Sequence, residues 1–214
     1  MVAVQSPAEE RTVLHHISWD TYQHILRDHE SSSAPRFSYD RGTLEIMSPL
    51  PIHERYSRLL DLFVSVVGEE TDEETYGLGS TTFSREDLQR GFEPDCCFYL
   101  QNIEQIVGKE RLDLRVDPPP DLVIEIDITH SSLDKLSLYL QIGVPEIWRY
   151  DSQRFEILRV SGESYVRVAQ SEYIPVVRSS ELETLLRDAA GLDDTRWMRR
   201  VRAWVRQQMP PATA

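Results

Sequence analysis

Glu125 and Asp127 interrupt the most strand-like run of the chain, residues 121–128. Apolar residues alternate through this run, so both carboxylates share one strand face at a spacing of about 6.6 Å. The run follows three prolines and precedes a predicted helix, which favours a central strand covered on both faces. Burying two carboxylates is costly unless a positive charge compensates, and a divalent cation such as Mg²⁺ would supply it. If the face is solvated instead, the carboxylates need no partner.

Asp95 and Lys135 complete the candidate site. Asp95 follows Pro94 and opens a short predicted strand that would pair beside residues 121–128, while Lys135 lies on the helix after Glu125. We therefore predict Asp95, Glu125 and Asp127 as metal ligands and Lys135 as a catalytic cation. Taken singly, an aspartate after proline is commonly a turn residue, and a lone lysine is commonly on the surface.

His53 opens a predicted amphipathic helix and falls at the edge of its inward stripe. A histidine in such a place more often belongs to a helix start than to a metal site. The six histidines show no His-x-x-x-His spacing, and Gly-x-Ser-x-Gly, Walker and dinucleotide-binding motifs are absent from the sequence. His53 is retained as a candidate that supports a metal ligand or meets the substrate.

The elements that must position these residues alternate between helices and strands. Helices are predicted over residues 18–30, 53–67, 103–114 and 131–142, and a hairpin over 36–48. Further strands are predicted over 78–83, 95–100, 121–128, 146–150, 154–160, 165–169 and 174–177. The pattern indicates an α/β fold with a mixed β-sheet flanked by helices. We expect this domain to span 1–178, including the N-terminal helix and hairpin, and a C-terminal helical tail to span 179–214.

The tail is predicted as two helices broken at Gly191. The second places Trp197, Val201 and Trp204 on one stripe, with arginines around the rest. We expect this stripe to pack on the body or on a second subunit, and the arginines to be solvated or paired with acidic residues. Contact between the arginines and a phosphate backbone is the alternative.

Composition limits the classes of function. The chain has 214 residues, with 36 acidic against 23 basic residues and a formal net charge of −13, so bulk charge does not drive nucleic-acid binding. The only cysteines, Cys96 and Cys97, are adjacent and point to opposite faces of an extended chain, which excludes a disulfide framework. With no signal-peptide pattern and no long apolar run, we expect a cytoplasmic protein without membrane contact.

Several of these features occur together in one family. They are the hairpin that ends in Glu45-Ile-Met-Ser-Pro49, His53, Glu93-Pro-Asp95, Pro120-Asp-Leu-Val-Ile-Glu125, Lys135-x-x-x-Tyr139 and Gly143-Val-Pro-Glu-Ile-Trp148. In this order they resemble the Uma family of restriction-endonuclease-like proteins, in the PD-(D/E)XK nuclease superfamily. The resemblance covers residues 18–177. It implies a restriction-endonuclease-like α/β core in which carboxylates bind a metal.

By that resemblance, Asp95 and Glu125 are the metal ligands of the motif. The lysine expected two positions after Glu125 is replaced by Asp127, and Lys135 from the following helix would take its part. Asp127 would be either an extra ligand or a source of repulsion toward phosphate.

The leading hypothesis is a Mg²⁺- or Mn²⁺-dependent endonuclease that hydrolyses phosphodiester bonds of DNA, with Asp95, Glu125, Lys135, Asp127 and His53 as its site. A homodimer is expected. The alternative is an inactive protein of the nuclease fold that acts as a dimeric interaction or regulatory module.

Overall fold

Two β-sheets and six helices are found in the described part of the chain, residues 9–30, 34–127, 133–189 and 191–209 of a computed structural model. The strands are β1 (Glu9–Leu14), β2 (Arg36–Asp40), β3 (Thr43–Pro49), β4 (Tyr76–Gly77), β5 (Phe83–Arg85), β6 (Arg90–Phe92), β7 (Cys96–Tyr99), β8 (Leu122–Ile126), β9 (Glu146–Tyr150), β10 (Phe155–Ser161) and β11 (Ser164–Val168). The helices are α1 (Trp19–Asp28), α2 (Pro51–Thr71), α3 (Ile103–Ile106), α4 (Lys135–Ile142), α5 (Ser179–Arg187) and α6 (Asp194–Gln208). The predicted α/β class is confirmed.

The first sheet has the strand order β1-β3-β2-β6-β5 and is antiparallel throughout. Its β2–β3 hairpin turns at Arg41 and Gly42, which both have positive φ as a two-residue turn of this kind requires. One face packs on α1 through a small core of aromatic and aliphatic side chains, Tyr22, Phe37, Tyr39 and Leu44. The predicted hairpin is therefore confirmed. The face of the first sheet that α1 does not cover is available to meet the second sheet.

The second sheet has the order β11-β10-β9-β8-β7-β4, with one parallel pair, β8 and β9. The connection between these two strands runs through α4, which ends at Gly143 with φ +94° as predicted. One face of the sheet packs on α2, α5 and α6, and the other packs on α4. Glu125 and Val123 of β8 are 5% and 0% exposed, so the face that carries the carboxylate is buried, not solvated.

The apolar stripe of α6 packs on α2 of the same chain. Trp197, Val201 and Val205 are fully buried, and the Trp197 indole donates a hydrogen bond to the Leu59 carbonyl at 2.8 Å. Most of the arginines around this stripe form ion pairs with acidic residues of the same chain, for example Arg206 with Glu70 at 2.7 Å. Of the two locations that the sequence left open for this stripe, the body is the one observed.

Several predicted elements were wrong. Residues 174–177 form a turn and not a strand, because Pro175 interrupts the run and the Val177 N–H bonds the Ile174 carbonyl at 2.9 Å. The segment 78–83 contains strand only at its last residue, and the helix predicted over 103–114 is a single turn. Strands β1, β4 and β6 were missed. Residue 128 and the predicted helix start at 131 lie outside the described residues.

No helix in the described ranges combines the length and apolar content that crossing a lipid bilayer requires. Cys96 and Cys97 are both buried free thiols. Burial raises the pKa of Cys96 to about 12, so this thiol stays protonated although it neighbours the candidate site.

Candidate active site

Asp95 and Glu125 face each other across two neighbouring strands. Strands β7 and β8 are antiparallel with Cys96 opposite Ile124, and the same register continued by one residue sets Asp95 opposite Glu125. Residues directly opposite in this way have Cβ atoms about 5 Å apart and point to the same face. Both are buried, with 3% and 5% of their surface exposed. The sheet therefore brings the two predicted carboxylates together.

Asp95 is held by three donors from three different elements. Its Oδ2 accepts a hydrogen bond from the Ile126 N–H at 2.6 Å and lies 3.2 Å from His53 Nε2, while its Oδ1 accepts from Arg36. Burial alone would raise the pKa of Asp95, but His53, Arg36 and Lys135 together hold this pKa well below its usual range. Asp95 is therefore an anion at any physiological pH.

Arg36 was not predicted from the sequence. It lies on β2 of the first sheet, is 6% exposed, and reaches Glu54 of α2 at 2.8 Å as well as Asp95. Burial acts to lower the pKa of Arg36, but the charges of Asp95 and Glu54 outweigh it and raise this pKa. Arg36 could have been predicted to contact a buried carboxylate only if the face of β2 that it occupies had been known to point inward.

Glu125 is held by two residues of α4. Lys135 Nζ lies 2.5 Å from Glu125 Oε2, and the Tyr139 hydroxyl donates a hydrogen bond to Oε1. Lys135 and Tyr139 are four residues apart, which places them on one helix face. Burial raises the pKa of Glu125, and the negative charge of Asp95 adds to this effect while Lys135 opposes it. The predicted approach of Lys135 to the site is thus observed, with Tyr139 as an additional partner.

Asp127 follows β8 and is half-buried. Its backbone N–H donates to the Tyr150 carbonyl at 2.9 Å, which continues the pairing between β8 and β9. Asp127 lines a cavity of about 220 Å³ together with Glu125 and Lys135. The structure therefore brings Asp127 to the same cavity as Glu125, as its position two residues further along the chain suggests.

A fourth charged pair comes from β1 and β3. Glu45 is 1% exposed and accepts from Arg11 at 2.5 Å, and the charge of Arg11 acts to lower the pKa of Lys135. Burial lowers that pKa further, yet Glu125 and Asp95 raise it more, so Lys135 stays protonated. The first sheet thus contributes two arginines, Arg11 and Arg36, to the surroundings of the carboxylates.

The donor set suits a hard divalent cation. No group of three or more His, Cys, Asp or Glu side chains is arranged as a metal site within residues 9–30, 34–127, 133–189 and 191–209. Mg²⁺ in enzymes is commonly bound by one or two carboxylates, with water and substrate phosphate as the other ligands. Asp95 and Glu125 offer two carboxylates at opposed positions for such an ion, and one oxygen of each is held by Arg36 or Lys135.

A larger opening adjoins Asp95 on the side of α2. It has a volume of about 490 Å³ and is lined by polar and charged side chains that include Arg36, Ser57, Arg58 and Ser80. Asp95 therefore lies at the wall of this opening as well as beside Glu125.

Comparison with known proteins places this site in context. The family model Uma2, described as "Putative restriction endonuclease", matches residues 19–191. A crystal structure of a putative nuclease belonging to DUF820 from Anabaena variabilis ATCC 29413 has a TM-score of 0.50 and 16% sequence identity, covering 88% of this chain and 99% of its own. That similarity shows a shared fold. No curated protein matches the sequence significantly. Because the family model covers well over half of the chain, including both facing carboxylates and Lys135, the chain belongs to the Uma2 family.

Proposed function

We propose that this protein is a cytoplasmic, Mg²⁺- or Mn²⁺-dependent endonuclease that hydrolyses phosphodiester bonds of DNA. The observation that supports this most directly is the buried pair of Asp95 and Glu125, opposite each other on adjacent strands, with Lys135 2.5 Å from Glu125. Membership of a restriction-endonuclease family supports the class of reaction. The metal and the choice of DNA belong to the proposal.

Asp95 and Glu125 would hold the cation, and Asp127 would offer a further oxygen from the same cavity as Glu125. A divalent cation in such a site polarises a phosphate and lowers the pKa of water, which is the chemistry that phosphodiester hydrolysis needs. Lys135 keeps a positive charge at the Glu125 oxygen, where it would stabilise negative charge that develops on the phosphate. In this proposal Lys135 performs the role of the motif lysine, whose position in the sequence is occupied by Asp127.

Two residues would position the carboxylates. His53 lies 3.2 Å from Asp95 Oδ2 and fixes the direction of that carboxylate, and Tyr139 does the same for Glu125 through its hydroxyl. Preorganised ligands of this kind need no rearrangement of the ligand shell as charge develops during the reaction.

The competing hypothesis is an inactive nuclease-fold protein that works as a dimeric interaction or regulatory module. The close pairing of both carboxylates with Arg36 and Lys135 favours it, because a purely structural ion network would look similar. The apolar stripe of α6 no longer supports it, because Trp197 and Val201 are buried within the chain. A homodimer remains a prediction that would need another surface.

Cleavage of supercoiled plasmid separates the two hypotheses. We expect the wild-type protein to nick plasmid with Mg²⁺ or Mn²⁺ and to be inert in chelator, and Glu125→Gln to lower the rate by roughly 10²-fold or more. The matched control is Asp113→Asn, which removes an exposed carboxylate paired with Arg115 and should leave the rate unchanged. Calorimetry should show Mn²⁺ binding that Asp95→Asn abolishes. A wild-type protein that neither binds Mn²⁺ nor cleaves any DNA would refute the proposal.

A further inference from the structure

Three arginines surround one buried carboxylate on strands β9 to β11. Arg149 approaches Glu156 Oε2 with Nη2 at 2.5 Å and Nε at 3.2 Å, Arg167 contacts Oε1, and Arg154 Nη1 lies 3.9 Å from Oε1. We call these four residues the Glu156 cluster. Its formal charge is +2, within a chain whose net charge is −13.

Balancing Glu156 does not require three guanidinium groups. Arg149 alone makes a two-point contact with one oxygen of Glu156, and Arg167 satisfies the other. Other carboxylates pair with one cation, as Asp117 does with Lys109, or with two, as Asp40 does with Arg41 and Arg90. The Arg154 and Arg167 side chains are 65% and 60% exposed, so much of their charge faces solvent. The cluster therefore has donors available for an anion from outside.

The cluster continues the row of residues that contains the candidate site. Glu125 is opposite Arg149 in the β8–β9 pair, and Arg149 is opposite Glu156 in the β9–β10 pair. Asp95, Glu125, Arg149 and Glu156 thus form one row across four strands. Arg149 also lines the 220 Å³ cavity that contains Glu125 and Lys135. Neighbouring strands are about 4.8 Å apart, so the Glu156 cluster begins one strand from Glu125 at Arg149 and reaches Arg167 on β11, three strands or about 14 Å away.

We propose that Arg149, Arg154 and Arg167 bind backbone phosphates of the DNA strand whose scissile phosphate lies at Asp95 and Glu125. The inference rests on the proposed function and adds the direction in which the strand runs, along the row toward β11. A span of about 14 Å corresponds to roughly four nucleotides at a rise of about 3.4 Å each. Guanidinium groups suit this task because their planar donors match phosphate oxygens at two points.

Asp127 and Asp134 line the intervening cavity and repel phosphate. The exposed Arg154 and Arg167 lie on the far side of Arg149 from these acids, so the favourable contacts fall on phosphates beyond the cavity. Arg154 and Arg167, unlike Arg149, lie outside the cavity that contains Glu125 and Asp127, which allows their role to be tested independently of the proposed metal ligands.

The test measures binding of a fluorescein-labelled 20-base-pair DNA duplex to the full chain by anisotropy, with Ca²⁺ present, between about 50 and 200 mM salt. The variant is the double substitution Arg154→Gln/Arg167→Gln, which leaves Arg149 paired with Glu156. The matched control is Arg187→Gln/Arg200→Gln, which removes the same charge from α5 and α6, where each arginine has its own carboxylate.

We expect the cluster variant to bind about tenfold more weakly at 100 mM salt, and the magnitude of the slope of log K against log salt to fall by about 2, because each neutralised phosphate contributes about 0.9. The control should keep the wild-type slope. A cluster variant with the wild-type slope, or a control that loses as much, would overturn the inference while wild-type binding and cleavage still support the proposed function. If the wild-type protein neither binds nor cleaves DNA, the proposed function fails and the inference fails with it.

Discussion

Arg36 and Asp95 form a buried ion pair that joins the two sheets of the molecule. Arg36 belongs to β2 of the first sheet, and Asp95 precedes β7 of the second. The first sheet therefore contributes a positive charge directly to the candidate metal site.

Replacing Arg36 should make the fold dependent on metal. Arg36→Met leaves Asp95 Oδ1 without its guanidinium partner, and losing one partner of a buried ion pair costs about 3–5 kcal/mol. A divalent cation that binds the freed carboxylate should restore part of this loss. Thermal denaturation with and without Mn²⁺ measures it: we expect a lower Tm than wild type in chelator and a larger rise on adding Mn²⁺. Arg115→Met, at an exposed pair, should show neither effect.

Tyr139 should matter for activity beyond its effect on stability. Tyr139→Phe removes the hydroxyl that donates to Glu125 Oε1, so the carboxylate loses its fixed direction. We expect a loss of about 1–3 kcal/mol in stability and about tenfold in cleavage rate. Tyr165→Phe is the matched control, because its hydroxyl bonds the Val144 carbonyl at 2.5 Å, away from the carboxylates. An equal loss of cleavage in both variants would mean that the hydroxyl of Tyr139 acts only through stability.

Glu93 should make stability depend on pH. Burial raises the pKa of Glu93 in the folded state, although the Phe37 N–H and the Thr82 hydroxyl donate to it at 2.8 and 2.5 Å. A raised folded pKa means that the protonated side chain favours folding, so its contribution is complete below the ordinary carboxyl pKa and is lost as pH rises through the raised value.

Glu93→Gln keeps an acceptor for the Phe37 N–H, and its amide N–H can donate to the Thr82 hydroxyl. Unlike glutamate, glutamine does not titrate. Urea denaturation between about pH 4 and pH 7 should therefore show the wild-type protein losing stability relative to Glu93→Gln as pH rises. A constant difference between the two proteins across this range would contradict the prediction.

Asp121 should stabilise the loop between β7 and β8. Its Oδ2 accepts from the backbone N–H groups of Leu100, Gln101 and Asn102 at 2.7, 2.8 and 3.2 Å, just after β7 and just before β8. Asp121→Ala leaves these donors without their acceptor, which we expect to cost about 2–4 kcal/mol. Asp121→Asn retains one acceptor and should cost less. Chemical denaturation of the wild type and both variants gives the order of their stabilities. An alanine variant as stable as wild type would refute the prediction.

The carboxylates were predictable because local sequence identifies them. Pro94 marks Asp95 as the start of a strand, and the apolar alternation around Glu125 marks it as a charged residue in a buried strand. Arg36 was not predictable in the same way. Its role depends on which face of the first sheet meets the second, and hydrophobic periodicity within one hairpin does not contain that information.

The missed strands have physical reasons as well. β1 consists largely of polar and charged residues and forms only by pairing with β3 at the edge of the first sheet. β6 is three residues long and contains Gly91, where a Cβ atom would lie 2.1 Å from the Tyr22 hydroxyl. Glycine is required there so that α1 can approach the sheet, although a glycine in sequence disfavours a strand.

Helix α2 carries His53 in its first turn and packs beneath Trp197 of α6 further along its length. Its 21 residues span about 30 Å, and α6 lies along much of this length, from the ion pair of Arg55 with Asp194 to the ion pair of Arg206 with Glu70. Removing α6 would therefore expose the apolar face of α2 within two turns of His53. Engineering of the carboxyl-terminal region, including the placement of fusion partners, therefore bears on the geometry of a site built entirely from other elements.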